Sequence, residues 1–484
     1  MAGPRQAKSR TACRLPCRSL LVAGAILGLA SGPVVAQTAD TGQGTFASRK
    51  LSNVPGADFG APPLPKPEAL FPQVNEALAK YGTAVLVDNI NEFDGAITGA
   101  HTGATDAGQY AIEWDQDWDI LAGVHGFQTH AVAVGRYGIP ASRIFGDNIE
   151  PSQEIYGAGG NVAVHLVFAY AEETLAHGRF NLAAGRIPSL NDFAASPLYC
   201  NFQNNSICGN PKASSDNTVS SSYPDANWAL RLRVRPISQI YVQWGIYFTE
   251  SNIYNYAKGY RSGFHFDSSY INGEYFPVEI GWEPTFGADK LPGHYKLGFG
   301  YDNDNHPDNY YDINGGAFAQ TGLPPRMRKG GSQEWALADQ MLVRQGPGVT
   351  DGIIGLAGFY HNDPRYSTRA EEYYVAGLDR GFWKARPLDT IGLLFSYNTV
   401  AGKLGKTEAL QQELGLPITG TGSTFYDDST PGVQTHSMII EANYAIHVFR
   451  GVTFAPDFQY YFRPNGQSLP NAALIGFKSH IELF

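Results

Sequence analysis

Cysteine, basic residues and long apolar runs are all scarce in this chain. It has 484 residues and four cysteines, two of them (Cys13 and Cys17) near the start. The remaining pair, Cys200 and Cys208, can pin one loop but cannot staple a fold of this length. No further Cys or His stands beside them, which argues against a metal site. In an oxidising compartment so close a pair reads as a disulfide before a redox centre. Lysine and arginine total 35 against 45 acids, for a formal net charge of -10. Residues 1–36 hold five of the bases (Arg5, Lys8, Arg10, Arg14, Arg18) and no acid, so without them the charge is -15. A chain so poor in cations is not built to bind nucleic acid. Beyond residues 20–29, no stretch approaches the eighteen or so apolar residues of a spanning helix. Hydrophobic residues still make up 43% of the chain, too many for disorder.

What is present begins with a secretory signal. Arg14 to Arg18 close a positive region, residues 20–29 are apolar, and Val34-x-Ala36 supplies a cleavage site, so residues 1–36 are expected to be removed. An uncleaved anchor is the alternative, but Gly24, Gly28, Gly32 and Pro33 interrupt it. Residues 37–82 read as a Pro-rich extension that includes Pro62-Pro63-Leu64-Pro65-Lys66-Pro67, with a short amphipathic helix over 71–81. From residue 83 to 484 the pattern is strands.

Residues 227–248 show that pattern most clearly. Trp228, Leu230, Leu232 and Val234 alternate with Arg231, Arg233 and Arg235. After a turn, Ile240, Val242, Trp244, Ile246 and Phe248 alternate with Tyr241, Gln243, Gly245 and Tyr247. This is period two on both sides of a hairpin. A face with three arginines in five residues cannot pack into a dry core, and the opposite face is too greasy for water. Sixteen such strands can be drawn between residues 83 and 484. Their connections alternate between tight turns, such as Arg450-Gly451, and long polar segments at 188–226, 250–275, 302–333 and 398–436. The even count and the asymmetry fit a 16-stranded antiparallel transmembrane β-barrel, all-β, with short periplasmic turns and long extracellular loops. Period alone also permits a large soluble sandwich or solenoid.

The residue pattern now resembles the carbohydrate-selective, OprB-type porins of Gram-negative outer membranes. The resemblance runs from about residue 83 to 484. It is carried by Gln153-Glu154-Ile155-Tyr156-Gly157, the strand end at Leu182 to Arg186, Cys200-x7-Cys208-Gly209, Trp228 to Leu232, Tyr241 to Tyr247, and Pro456-Asp457-Phe458-Gln459-Tyr460 with Pro464-Asn465-Gly466. It implies passive diffusion of monosaccharides such as glucose through a constricted, water-filled lumen, with no cofactor and no chemical step. It also implies a Cys200–Cys208 disulfide in a long loop, and small neutral sugars as solutes. Outer-membrane lipid and lipopolysaccharide, the barrel assembly machinery and a homotrimer are the partners to expect.

Sugar grips need planar donors, carboxylates and aromatic faces. Glu154 and Arg186 are the first candidates for the constriction because each lies in a matching motif; a wall ion pair is the alternative for both. Arg231 and Arg233 would form a lumen ladder favouring neutral or anionic solutes, or else neutralise wall acids such as Glu279 and Glu283. Tyr241 and Tyr247 share the inward phase, whereas Trp228 and Trp244 are expected to face lipid. Asp302, Asp304, Asp308 and Asp312 crowd an expected loop, without the glycine and closing glutamate of a calcium loop. No nucleophile, base and orienter fall together, so an enzyme carried on a barrel and a secreted adhesive β-protein are the weaker readings.

Overall fold

The computed structural model describes residues 68–155, 163–215, 221–250, 263–264, 266, 268, 270–418 and 432–484. The expected signal peptide and the extension up to residue 67 lie outside the described residues. A helix, α1 (Gln73–Ala79), precedes the first strand; Val74 and Leu78 on it are half-buried, and the Asn75 side chain bonds the Val85 backbone at 2.8 Å.

The strands are β1 (Thr83–Ala96), β2 (Gly103–Asp117), β3 (Phe127–Gly138), β4 (His165–Leu175), β5 (Phe180–Ile187), β6 (Asn227–Ile237), β7 (Ile240–Glu250), β8 (Ile271–Trp282), β9 (Thr285–Phe286), β10 (Leu291–Asp312), β11 (Pro325–Arg344), β12 (Gly352–Asn362), β13 (Arg369–Arg380), β14 (Thr390–Val400), β15 (His436–Phe449), β16 (Val452–Phe462) and β17 (Ala472–Glu482). Apart from the two-residue β9, each pairs antiparallel with its sequence neighbours. The ring closes because β1 pairs with β2 on one edge and β17 on the other, as in Asn89 opposite both Tyr110 and Ile481. The result is a closed 16-stranded barrel. Closure leaves no open edge, which is what lipid demands of a spanning sheet.

Period two becomes inside and outside. On β6, Leu230 is exposed while Arg231 and Arg233 are buried; on β7, Trp244 is exposed while Tyr241 and Tyr247 are buried. Leu297, Phe299, Val375, Leu393, Phe458 and Ile475 likewise stand on the outer surface. Among the described residues no second sheet covers this greasy face, since all the barrel strands belong to one ring. That arrangement removes the soluble sandwich. Several inward aromatic rings lie flat over glycines of the next strand. A Cβ on Gly298 would stand 2.0 Å from the Trp335 ring, and one on Gly358 would stand 2.1 Å from Tyr374. Only glycine permits so close an approach.

Turns such as 176–179, 238–239 and 450–451 lie on the rim that also carries the C-terminus, where Val87 donates its N–H to the Phe484 carbonyl at 2.9 Å. The strand ends at 138 and 165, 187 and 227, 250 and 271, and 400 and 436, between which the long connections run, lie on the other rim. The expectation of a polar loop over 302–333 is corrected. β10 continues to Asp312 and β11 starts at Pro325, so the hairpin stands well above its neighbours. The aspartates there belong to the strand and have partners: Asp302 with His306 at 2.7 Å, Asp304 with the Thr249 hydroxyl at 2.6 Å, and Asp308 with Arg328. Beyond the bilayer both faces of a strand can be wet, and its sequence then looks like a loop.

The main apolar core lies inside the barrel. Leu190, Phe193, Leu198, Tyr199, Phe202 and Ile207 of the 188–226 segment pack against inward side chains of β11 to β17, among them Trp335, Leu356, Tyr374, Leu394 and Leu474.

Candidate functional site

Residues 188–215 of the connection between β5 and β6 fold into the lumen, and single wall acids hold their backbone there. Glu441 on β15 accepts the N–H groups of Gln203 (2.6 Å) and Asn204 (3.0 Å). Glu372 on β13 accepts the N–H of Ala213 at 2.6 Å, and Glu279 on β8 that of Ala194 at 3.0 Å. Donors complete the belt. Tyr360 and Lys296 reach the carbonyls of Ala194 and Ala195, while Lys478 on β17 reaches that of Phe202. Each such bond satisfies a buried peptide group that the inward fold would otherwise strand. Cys200 and Cys208 form a disulfide that encloses the stretch held by Glu441.

The 139–155 segment also turns inward and joins the first. The Glu154 N–H donates to the Gln203 carbonyl at 3.0 Å, and the Asn205 N–H to that of Pro151 at 2.9 Å. The apolar side chains of the first segment pack chiefly against β11–β17, which leaves the wall of β2–β6.

That remaining wall is ionic. Arg136 on β3 pairs with Glu154 at 3.1 Å and donates to Gln109 at 2.8 Å; the Tyr223 ring lies 5.2 Å from its guanidinium. Arg231 on β6 pairs with Glu172 on β4 (3.4 Å) and with Asp192 of the inward loop (3.3 Å), and donates to Asn181. Arg233 stands 3.7 Å from Asp192 and donates to Gln243 at 3.0 Å. His130 is fixed by Asp115 at 2.5 Å, and the part-buried Tyr170 ring stacks on it with centroids 4.7 Å apart. Where the loop returns to the wall, burial pushes the Asp225 carboxyl up to about 7, with Arg136 and then Arg186 pulling the other way.

The sequence candidates divide by place. Glu154, Arg231 and Arg233 belong to this ionic cluster. Tyr247 is buried and donates to Asp192 at 2.9 Å; Tyr241 is buried and donates to Glu279 at 2.9 Å. Arg186 stands apart from this group. It pairs with Glu250 at 2.7 Å and holds the Ala226 carbonyl at 2.5 Å, at the base of the inward loop. Of the wall acids expected to neutralise the arginines, Glu283 takes Arg235 at 2.7 Å. Arg231 instead uses Glu172 and Asp192. Sequence reading missed Glu372 and Glu441, and named Glu279 only as a partner for the arginines. Their signal was a lone acid in the inward phase of a strand.

Residues 101–483 match the family described as "Carbohydrate-selective porin, OprB family". The chain belongs to that family. Porin B of Pseudomonas aeruginosa is 28% identical over 333 residues, covering 68% of this chain and 70% of that protein. The high-pH structure of Pseudomonas putida OprB shares the fold, with a TM-score of 0.77 and 24% identity over 86% of this chain and 99% of the other. The low-pH structure of the same protein gives 0.50 at 16% identity over the same shares of the two chains. This OprB-family chain is a passive sugar channel of the outer membrane. The inward segments occupy part of its lumen.

Proposed function

We propose that the channel passes monosaccharides such as glucose down their gradient, without energy input and without catalysing a reaction. The observation that carries this reading is the loop belt. A lumen narrowed by a fixed loop, with carboxylates, guanidinium groups and a part-buried tyrosine at the gap, offers a sugar both donors and acceptors. Fixed polar groups replace part of the solute's hydration while leaving binding weak enough for release.

The six sequence candidates then have distinct tasks. Glu154 meets solute. Arg231, Arg233 and Tyr247 hold Asp192 at the gap, Tyr241 holds Glu279 behind Ala194, and Arg186 fixes the loop base. Outer-membrane lipid and lipopolysaccharide surround the barrel, the assembly machinery inserts it after residues 1–36 are removed, and a homotrimer is its assembled state. Residues 37–82 form an N-terminal extension, of which the Leu70 and Phe71 N–H groups donate to the carbonyls of Glu482 and Leu483.

Single-channel conductance with added sugar, together with sugar flux into liposomes, tests the reading. Glucose should reduce ion current in a saturable way. Arg186→Ala should loosen the loop base, raising ion conductance and weakening the glucose block several-fold. Absence of conductance or of glucose flux would sink the proposal, and unchanged conductance and block in the variant would remove Arg186 from the constriction.

A further inference from the structure

The order of charges across the ionic wall carries an inference about which sugars pass. It rests on the sugar-channel reading and concerns the same gap. Each arginine there lies behind its carboxylate partner. The Arg136 side chain is 1% exposed and Glu154 is 15% exposed. Arg231 is 3% exposed, whereas its partners Glu172 and Asp192 are 16% and 12% exposed. Arg233 is buried behind Asp192 as well. Three carboxylates drawn from three different segments are thus the more exposed members of their pairs, and the guanidinium groups that hold them are buried.

Lys478 on β17 is a cation in the opposite order, 17% exposed over the fully buried Glu92 at 3.0 Å and beside the disulfide. This one cation does not outweigh three carboxylates. This order differs from the expected arginine ladder, which would have favoured neutral or anionic solutes. A solute touches carboxylate first. The positive charges sit deeper in the wall, where their field at the pathway is offset by the acids in front of them.

We propose that Glu154, Glu172 and Asp192 form a specificity-determining screen that admits neutral and amino sugars and rejects anionic ones, such as uronic acids and sugar phosphates. Neutral sugar hydroxyls donate to the carboxylates. An ammonium substituent gains a charge-assisted hydrogen bond. A carboxylate or phosphate on the solute meets like charge in a narrow gap, where low-dielectric walls limit screening.

Two measurements on the unsubstituted protein test this. In a planar bilayer with a tenfold KCl gradient, the reversal potential should report potassium over chloride. In liposomes, glucosamine should enter at least as fast as glucose, and glucuronate several-fold more slowly. Glu154→Gln, Glu172→Gln and Asp192→Asn should each move the reversal potential toward chloride, because each uncovers an arginine. Lys478→Gln should move it the opposite way. Chloride preference, or glucuronate entering at the rate of glucose, would overturn the proposal. Missing glucose flux alongside normal ion conductance would instead overturn the sugar reading, and the reversal potential would still judge the charge order.

Discussion

At the scale of single residues, the inward segments depend on buried acids whose protonation is coupled to place. Asp147 and Glu150 are fully buried in the 139–155 segment. Burial pushes Asp147 up to about 6, against hydrogen bonds from the Asn465 and Glu150 N–H groups and the charge of Arg369. Burial, and then the charge of Asp147, pushes Glu150 up to about 7, against Ser437, Asn398 and Ser396. Glu372 faces the same cluster. A carboxyl whose pKa is higher in the folded state binds more protons there, so folding stability falls as pH rises through the window. The window runs from the ordinary carboxyl range near 4 up to about 7. Amide exchange should therefore show residues 139–155 better protected at pH 5 than at pH 8, after correction for intrinsic rates. Glu150→Gln should flatten that dependence. Equal protection at both pH values would show that these acids do not govern the segment.

At the scale of elements, the strands were legible because bilayer and lumen impose opposite demands on alternate residues. The span 180–187 and the long connection 188–226 could be read directly from that change of pattern. The β10–β11 hairpin could not, because above the bilayer the alternation loses its greasy phase while the backbone pairing continues. The loop anchors were hard to read for a different reason. Glu279, Glu372 and Glu441 act on peptide groups far away in sequence, and neither partner carries a local pattern. The greasy phase gives a direct test. Leu297 lies within β10 and is 61% exposed. Leu297→Arg should cost about 2–4 kcal/mol if the site is near the bilayer midplane. Urea titration in lipid vesicles, read by the mobility difference of folded barrel on unheated gels, should show that loss. Ser332→Arg, on the protruding half of β11, should cost far less. Equal costs would mean that the outer face near Leu297 does not meet lipid.

At the scale of the whole molecule, the barrel and its plug are separable contributions. The ring closes through backbone pairing alone, with β1 joined to β17 over the register from Asp88–Glu482 to Ala96–Leu474. The inward loop adds an apolar core inside the lumen. Replacing residues 193–213 with a short flexible linker would remove that core together with the disulfide, leaving the ring paired. It would also expose Leu356, Tyr374 and Leu394 to lumen water, which costs stability in proportion to the apolar area uncovered. The expected protein still inserts and still migrates as folded barrel, but unfolds at lower denaturant. Its ion conductance should rise several-fold, and glucose should no longer block the current, because a wider lumen no longer brings solute against Glu154 and Glu172 together. Conductance measured in the same bilayers before and after the replacement decides the matter. An unchanged conductance would place the narrowest point elsewhere and make this loop a stabilising insert. Loss of the folded barrel would mean that closure depends on the plug, contrary to the pairing seen along every strand of the ring.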